Sequence, residues 1–187
     1  MSLLTTPSQT VGPFLSIGFG ALAVEVLAAE GVNGERLAVQ GRLLDGDGKG
    51  VSDGVIELWQ ANAYGRYASP EDPQNKPVEP GFRGFGRILT RSDGGFGFTT
   101  IKPGRVPGPR GTLQAAHLAV TVFMRGILKH LSTRMYFPEE PANEEDPVLK
   151  LVPADRRPTL VARRTGAETL EWNIVLQGRD ETVFFDF

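Results

Sequence analysis

Apolar and polar side chains alternate along several short stretches of this chain, and these stretches are its strand candidates. In LEWNIVLQ (170–177), Leu170, Trp172, Ile174 and Leu176 fall on one face and Glu171, Asn173 and Gln177 on the other. VIELWQ (55–60) alternates with the same period of two. HLAVTVF (117–123) and FGFTT (96–100) are rich in β-branched or aromatic residues and are bounded by turn formers. DGDGKG (45–50), SDGG (92–95) and QGRD (177–180) read as hairpin-like turns. Helix signals are weaker. FLSIGFGALAVEVLAA (14–29) predicts at most a short helix, because its glycines cost helix stability, and PTLVARR (158–164) predicts a turn or two. Segments 61–87 and 102–116 carry little period and read as long loops, of a kind usually functional or packed against a partner. The pattern predicts an all-β fold: an antiparallel β-sandwich with long loops and one or two short helices.

Composition narrows this further. A chain of 187 residues fits one domain, 1–187, and no repeat or linker divides it. The 23 glycines and 14 prolines suit a turn-rich fold, while 40% hydrophobic residues is normal for a globular chain. The absence of cysteine excludes disulfides, zinc ribbons, iron–sulfur ligation and thiol nucleophiles together. A net charge of −2 argues against a general nucleic-acid surface. MSLLTTPSQT has neither the basic nor the apolar region of a signal peptide, and no apolar run approaches the ~18 residues of a membrane helix. A cytoplasmic protein, with no membrane partner, is the expectation.

Two motif-like stretches carry no chemistry, and a third motif is absent. DGDGKGVSDGVI (45–56) resembles a calcium loop, but Lys49 and Ile56 stand where oxygen ligands are required. GFRGFG (81–86) lacks the strand-then-helix setting of a phosphate loop. No G-x-S-x-G nucleophile elbow occurs.

Six segments taken in order are informative together: TPSQTVGPF (6–14), ELWQANAYGRY (57–67), TTIKPGRVP (99–107), QAAHLAVTVFMRG (114–126), TRMYF (133–137) and VLQGRDETVFFDF (175–187). In this order they resemble the intradiol ring-cleaving dioxygenases over nearly the whole chain. The resemblance implies an enzyme of two related chains, alpha and beta, in a hetero-oligomer of alpha–beta pairs. The beta chain holds a non-haem Fe(III) through two tyrosines and two histidines. The activity implied is O2-dependent cleavage of protocatechuate to 3-carboxy-cis,cis-muconate. The histidines form H-x-H on a strand, where residues i and i+2 share a face and both imidazoles reach one ion.

The ligand positions map onto this chain as Tyr67, Val106, His117 and Ala119, and Gln114 stands where catalytic chains carry an assisting arginine. An isopropyl and a methyl group offer no lone pairs, so these are vestigial positions. The resemblance therefore implies a chain of the alpha type, with no catalytic residue and no metal of its own, whose Fe(III) sits in the partner beta chain. It further implies that the N-terminal segment, about residues 1–30, reaches the partner, with Thr10, Gly12, Pro13 and Arg125 lining the substrate pocket. Glycine permits close backbone approach, proline fixes chain direction, and a guanidinium suits a substrate carboxylate. Two alternatives stay open at this point. DGGFGF…KPG also occurs in sandwich binding or structural modules that have no enzyme partner. A single-chain enzyme could use Tyr67, His117 and His130.

Overall fold

The structure is a computed structural model that describes residues 4–186. Residues 1–3 of the N-terminal segment and Phe187, the end of the VFFDF edge, lie outside the described residues. A short helix, α1 (Phe14–Phe19), leads into eleven strands. These are β1 (Arg36–Leu44), β2 (Val55–Trp59), β3 (Phe85–Leu89), β4 (Gly95–Ile101), β5 (Val106–Pro107) and β6 (Leu113–Gln114), then β7 (His117–Phe123), β8 (Leu131–Tyr136), β9 (Arg163–Arg164), β10 (Thr169–Glu171) and β11 (Ile174–Val175). One sheet runs β3-β2-β7-β8 and is antiparallel throughout. The other is built on β1, which pairs antiparallel with β4 and parallel with β10 and then β11. The expected sandwich is present, with parallel pairings added to the antiparallel pattern.

The two sheets bury one apolar core. Leu37, Val39, Phe96, Phe98, Leu170, Trp172 and Ile174 from one sheet meet Ile56, Leu58, Ile88, Leu118, Val120, Val122 and Met135 from the other. These positions follow the period of two along each strand, which is why the alternation was legible in sequence. A second cluster covers the outer face of β8, where Tyr136 packs with Leu149, Val152 and Leu160 from the 141–160 segment. That segment is held by single-turn 3-10 pieces, one of them at Arg157–Leu160 as the sequence suggests. No helix among the described residues is long and apolar enough to cross a membrane.

Several elements depart from the sequence reading. The longest strand, β1, is not among the expected ones, because Gly41 takes one of its inward positions and weakens the alternation. The stretch 61–87 is irregular only until β3 begins at Phe85, and 102–116 holds the two-residue ladder β5–β6. LEWNIVLQ keeps its inward set but not its continuity. The Trp172 N–H donates to Gln40 O and the Asn173 side chain accepts from the Arg42 N–H, which splits the stretch into β10 and β11. Gly41 accommodates this break. A Cβ there would lie 1.8 Å from the Trp172 carbonyl oxygen and 2.8 Å from the Phe96 ring.

Gly41→Ala is thus an overpacking change at the seam of β1, β10 and β11, where the obstacle is backbone. It should cost at least about 1–3 kcal/mol. Urea unfolding of the variant measures this, and an unchanged midpoint would show that the seam yields without penalty.

Candidate functional site

Strand pairing draws the vestigial positions toward one region of the β3-β2-β7-β8 sheet. His117 and Ala119 point to the same, outer face of β7. Across the ladders, Ala119 faces Trp59 on β2 and Arg134 on β8, while His117 faces Tyr136. Tyr67 stacks on Trp59 with ring centroids 5.9 Å apart and an interplanar angle of 3°. Its segment is fixed from below. Asn62 Oδ1 accepts from the Tyr64 and Arg66 N–H groups, and Asp72 Oδ2 accepts from the Tyr67 N–H. Gly65, at φ +77°, lets this turn press on the Arg105 carbonyl oxygen, which an added Cβ would approach to 2.0 Å. That contact brings the Tyr67 turn beside Val106, which pairs with Gln114 in the β5–β6 ladder.

The donor set does not fit a ferric ion. Val106 and Ala119 have no lone pairs to give, and burial lifts the Tyr67 phenol above its ordinary value despite the nearby Arg134 charge. The guanidinium of Arg134 lies among these side chains. Its Nη1 donates to Gln114 Oε1 at 2.7 Å and, weakly, to Tyr136 Oη at 3.5 Å. Tyr136 Oη donates in turn to Asp146 Oδ1, whose carboxylate also accepts from the Ala115, Val148 and Leu149 N–H groups. Sequence reasoning missed Arg134 and Asp146. The available signal was TRMYF itself, where Thr133 and Met135 point inward and Arg134 and Tyr136 share the outer face with His117.

His130 is not part of this group. It packs against Phe123, at the far end of β7. Six residue steps at about 3.3 Å place His117 and Phe123 roughly 20 Å apart. Tyr67, His117 and His130 therefore do not form one centre.

His130 lies instead in a cleft of about 490 Å³, lined also by Gln9, Val11, Phe123 and Lys129. Beside it, the Gly126 N–H donates to Thr10 Oγ1 at 2.8 Å, fixing the N-terminal segment to the turn after β7. Arg125 Nε donates to Asp53 Oδ2 in the same turn. Pro13 caps the start of α1, none of whose residues is buried. Arg87 sits over the Phe19 ring at 4.2 Å, and Val24 bridges to Arg87, which ties the segment to β3. Thr10 and Arg125 thus lie at one end of the sheet, and His117 and Ala119 toward the other.

His117 is strongly altered by its surroundings. Its Nδ1–H donates to the Ala115 carbonyl at 2.8 Å, which leaves the lone pair on Nε2. Burial chiefly, then the Arg134 charge, lower its pKa from 6.5 to about 4. The folded state thus prefers neutral imidazole. The associated stability is fully present above about pH 6.5 and is lost as pH falls toward about 4, a change on the order of 3 kcal/mol. Two-dimensional NMR titration, with His130→Gln to assign the two rings, should find His117 neutral at pH 5. A midpoint near 6.5 would contradict the buried, hydrogen-bonded ring.

A family model described as "Dioxygenase" matches residues 23–178. The alpha chain of protocatechuate 3,4-dioxygenase from Burkholderia cepacia is 42% identical over 99% of this chain and 98% of its own length. The beta chain from the same organism is 38% identical over 80% of this chain and 67% of its own. Among solved structures, the dioxygenase domain of a dioxygenase–carbohydrate-binding fusion from Streptomyces sp. SirexAA-E superposes with a TM-score of 0.63 at 25% identity, covering 85% of this chain and 88% of that one. With a family model spanning most of the sandwich and relatives aligned nearly end to end, the chain belongs to the intradiol ring-cleaving dioxygenases.

Proposed function

We propose that this chain is the non-iron-binding alpha subunit of a protocatechuate 3,4-dioxygenase. One observation carries the reading: similarity to an alpha chain runs essentially end to end, while similarity to a beta chain from the same organism stops at four-fifths of this chain. The family's non-haem Fe(III) then resides in a beta-type partner, whose donors replace the lone pairs that Val106 and Ala119 lack. The assembly is a cytoplasmic hetero-oligomer of alpha–beta pairs. In the reaction both atoms of O2 enter the product, and the ring of protocatechuate opens between its two hydroxyl-bearing carbons to give 3-carboxy-cis,cis-muconate.

This chain's part is shape and charge at the shared pocket. The single domain extends its N-terminal segment, about residues 1–30, onto the partner. Phe14, Ile17, Leu22 and Val26 are large apolar side chains more than half exposed, and they supply the surface for that contact. Thr10, Gly12 and Pro13 form the pocket wall. Gly12 has open space around its Cβ position within this chain, so its missing side chain is available for close approach by another molecule. Arg125 takes the substrate carboxylate: Asp53 fixes its Nε and leaves the terminal nitrogens to form a two-point contact.

Two measurements test this. The chain purified alone should hold no stoichiometric iron and consume no O2 with protocatechuate, whereas co-expression with a beta-type chain should give both. Turnover from the isolated chain would reject the proposal. In the complex, Arg125→Ala should weaken protocatechuate binding by roughly ten- to a hundredfold, the worth of one charge-assisted hydrogen bond. Binding of unsubstituted catechol should change far less. Equal losses would show that the charge does not face the carboxylate.

A further inference from the structure

We propose that the Arg134 guanidinium stands in the place of the metal ion and keeps cations out of the vestigial ligand cluster. This deepens the alpha-subunit reading and rests on it, because the ligand positions are taken from that resemblance. Three observations converge. Arg134 is the cross-strand partner of Ala119, the position where a second imidazole would point at an ion. Its Nη1 donates to Gln114, whose strand partner is Val106, another ligand position. It also reaches Tyr136 Oη, and the Tyr136 ring lies 5.8 Å from that of His117, its cross-strand partner and a third ligand position. A single fixed cation thus addresses three of the four positions, and Tyr67 stacks on Trp59 beside them.

The guanidinium is charged at any pH the fold survives, has no lone pair to share, and is a hydrogen-bond donor only. Gln114 Oε1 accepts from it, and Gln114 Nε2 is spent on the Pro107 carbonyl, so the amide is held at both ends. Tyr136 carries the contact on to Asp146, a fully buried carboxylate that accepts from three backbone N–H groups. The buried negative charge and the guanidinium are therefore coupled through one phenol. A divalent or trivalent ion entering beside Arg134 would meet a like charge at short range in a partly desolvated site, where such repulsion is large. Loss of two ligands lowers affinity for a metal, and Arg134 adds active exclusion.

The test restores one donor and leaves the core untouched. Ala119 is exposed, so Ala119→His adds an imidazole beside Tyr67 and His117 without overpacking. Three such donors suffice for a divalent ion. Cobalt(II) is titrated into the 187-residue chain and followed by its visible absorption. Ala119→His alone should bind little cobalt, and Ala119→His with Arg134→Ala should bind roughly a hundredfold or more tightly. Ala119→His with Arg134→Lys, which keeps the charge and removes the fork, should stay near the first. Equal affinity for all three overturns the proposal, and so does tight binding by the lysine variant. Should the Ala119→His chains not fold, Arg134→Ala and Arg134→Lys alone decide the matter by cobalt-induced broadening of the His117 NMR signals. Broadening is expected in the alanine variant and absent in the lysine variant and the parent chain, and any other pattern counts against it. Oxygen uptake by the two-chain complex reports the alpha-subunit reading separately, since cobalt affinity of this chain does not enter it.

Discussion

The cross-strand row Trp59–Ala119–Arg134 is the constraint on which the rest of the site depends. Three antiparallel strands in fixed register bring an aromatic plane, a methyl group and a guanidinium side by side on the outer face of one sheet. The register is not free to slip. A shift by one residue would carry Leu118 and Val120 out of the core and replace them with His117 and Ala119. Burial of the inner face therefore dictates what appears on the outer one. Tyr67 stacks on the row from one side, and Gln114 and Tyr136 bind its cation on the other.

That arrangement gives the sheet two ends with different chemistry. At the start of β7, a buried histidine and a cation sit on a hydrogen-bond network that runs through Tyr136 to Asp146. At its end, Thr10 and Gly126 join the N-terminal segment to a turn that carries an arginine, next to an open cleft. The length of β7 separates the two.

The network around Asp146 also holds this end of the sheet together. A buried carboxylate is costly unless its lone pairs are filled. Here three backbone N–H groups and the Tyr136 hydroxyl fill them, and the 141–160 segment is anchored in the process. The outer face of β8 is thereby covered by polypeptide, and the hydrophobic cluster of Leu149, Val152 and Leu160 follows.

Sequence alone determined the all-β class, the strand candidates that form β2, β4 and β7, and the inward residues of the 170–176 stretch, and it showed that Val106 and Ala119 carry no lone pairs. Each of these is local: a period of two, or a side chain with no lone pair. It also placed His117 and Ala119 on one face. It did not yield β1, whose alternation is interrupted by Gly41, because the reason for that glycine is a carbonyl 131 positions away in the chain, at Trp172. It did not yield the break between β10 and β11, which depends on hydrogen bonds to Gln40 and Arg42. Nor did it single out Arg134, since an arginine in an alternating strand looks like any solvated side chain until strand register sets it opposite Ala119. Alternation and side-chain chemistry can be read from neighbours in sequence, whereas which charge faces which vacancy is decided only when distant strands pair.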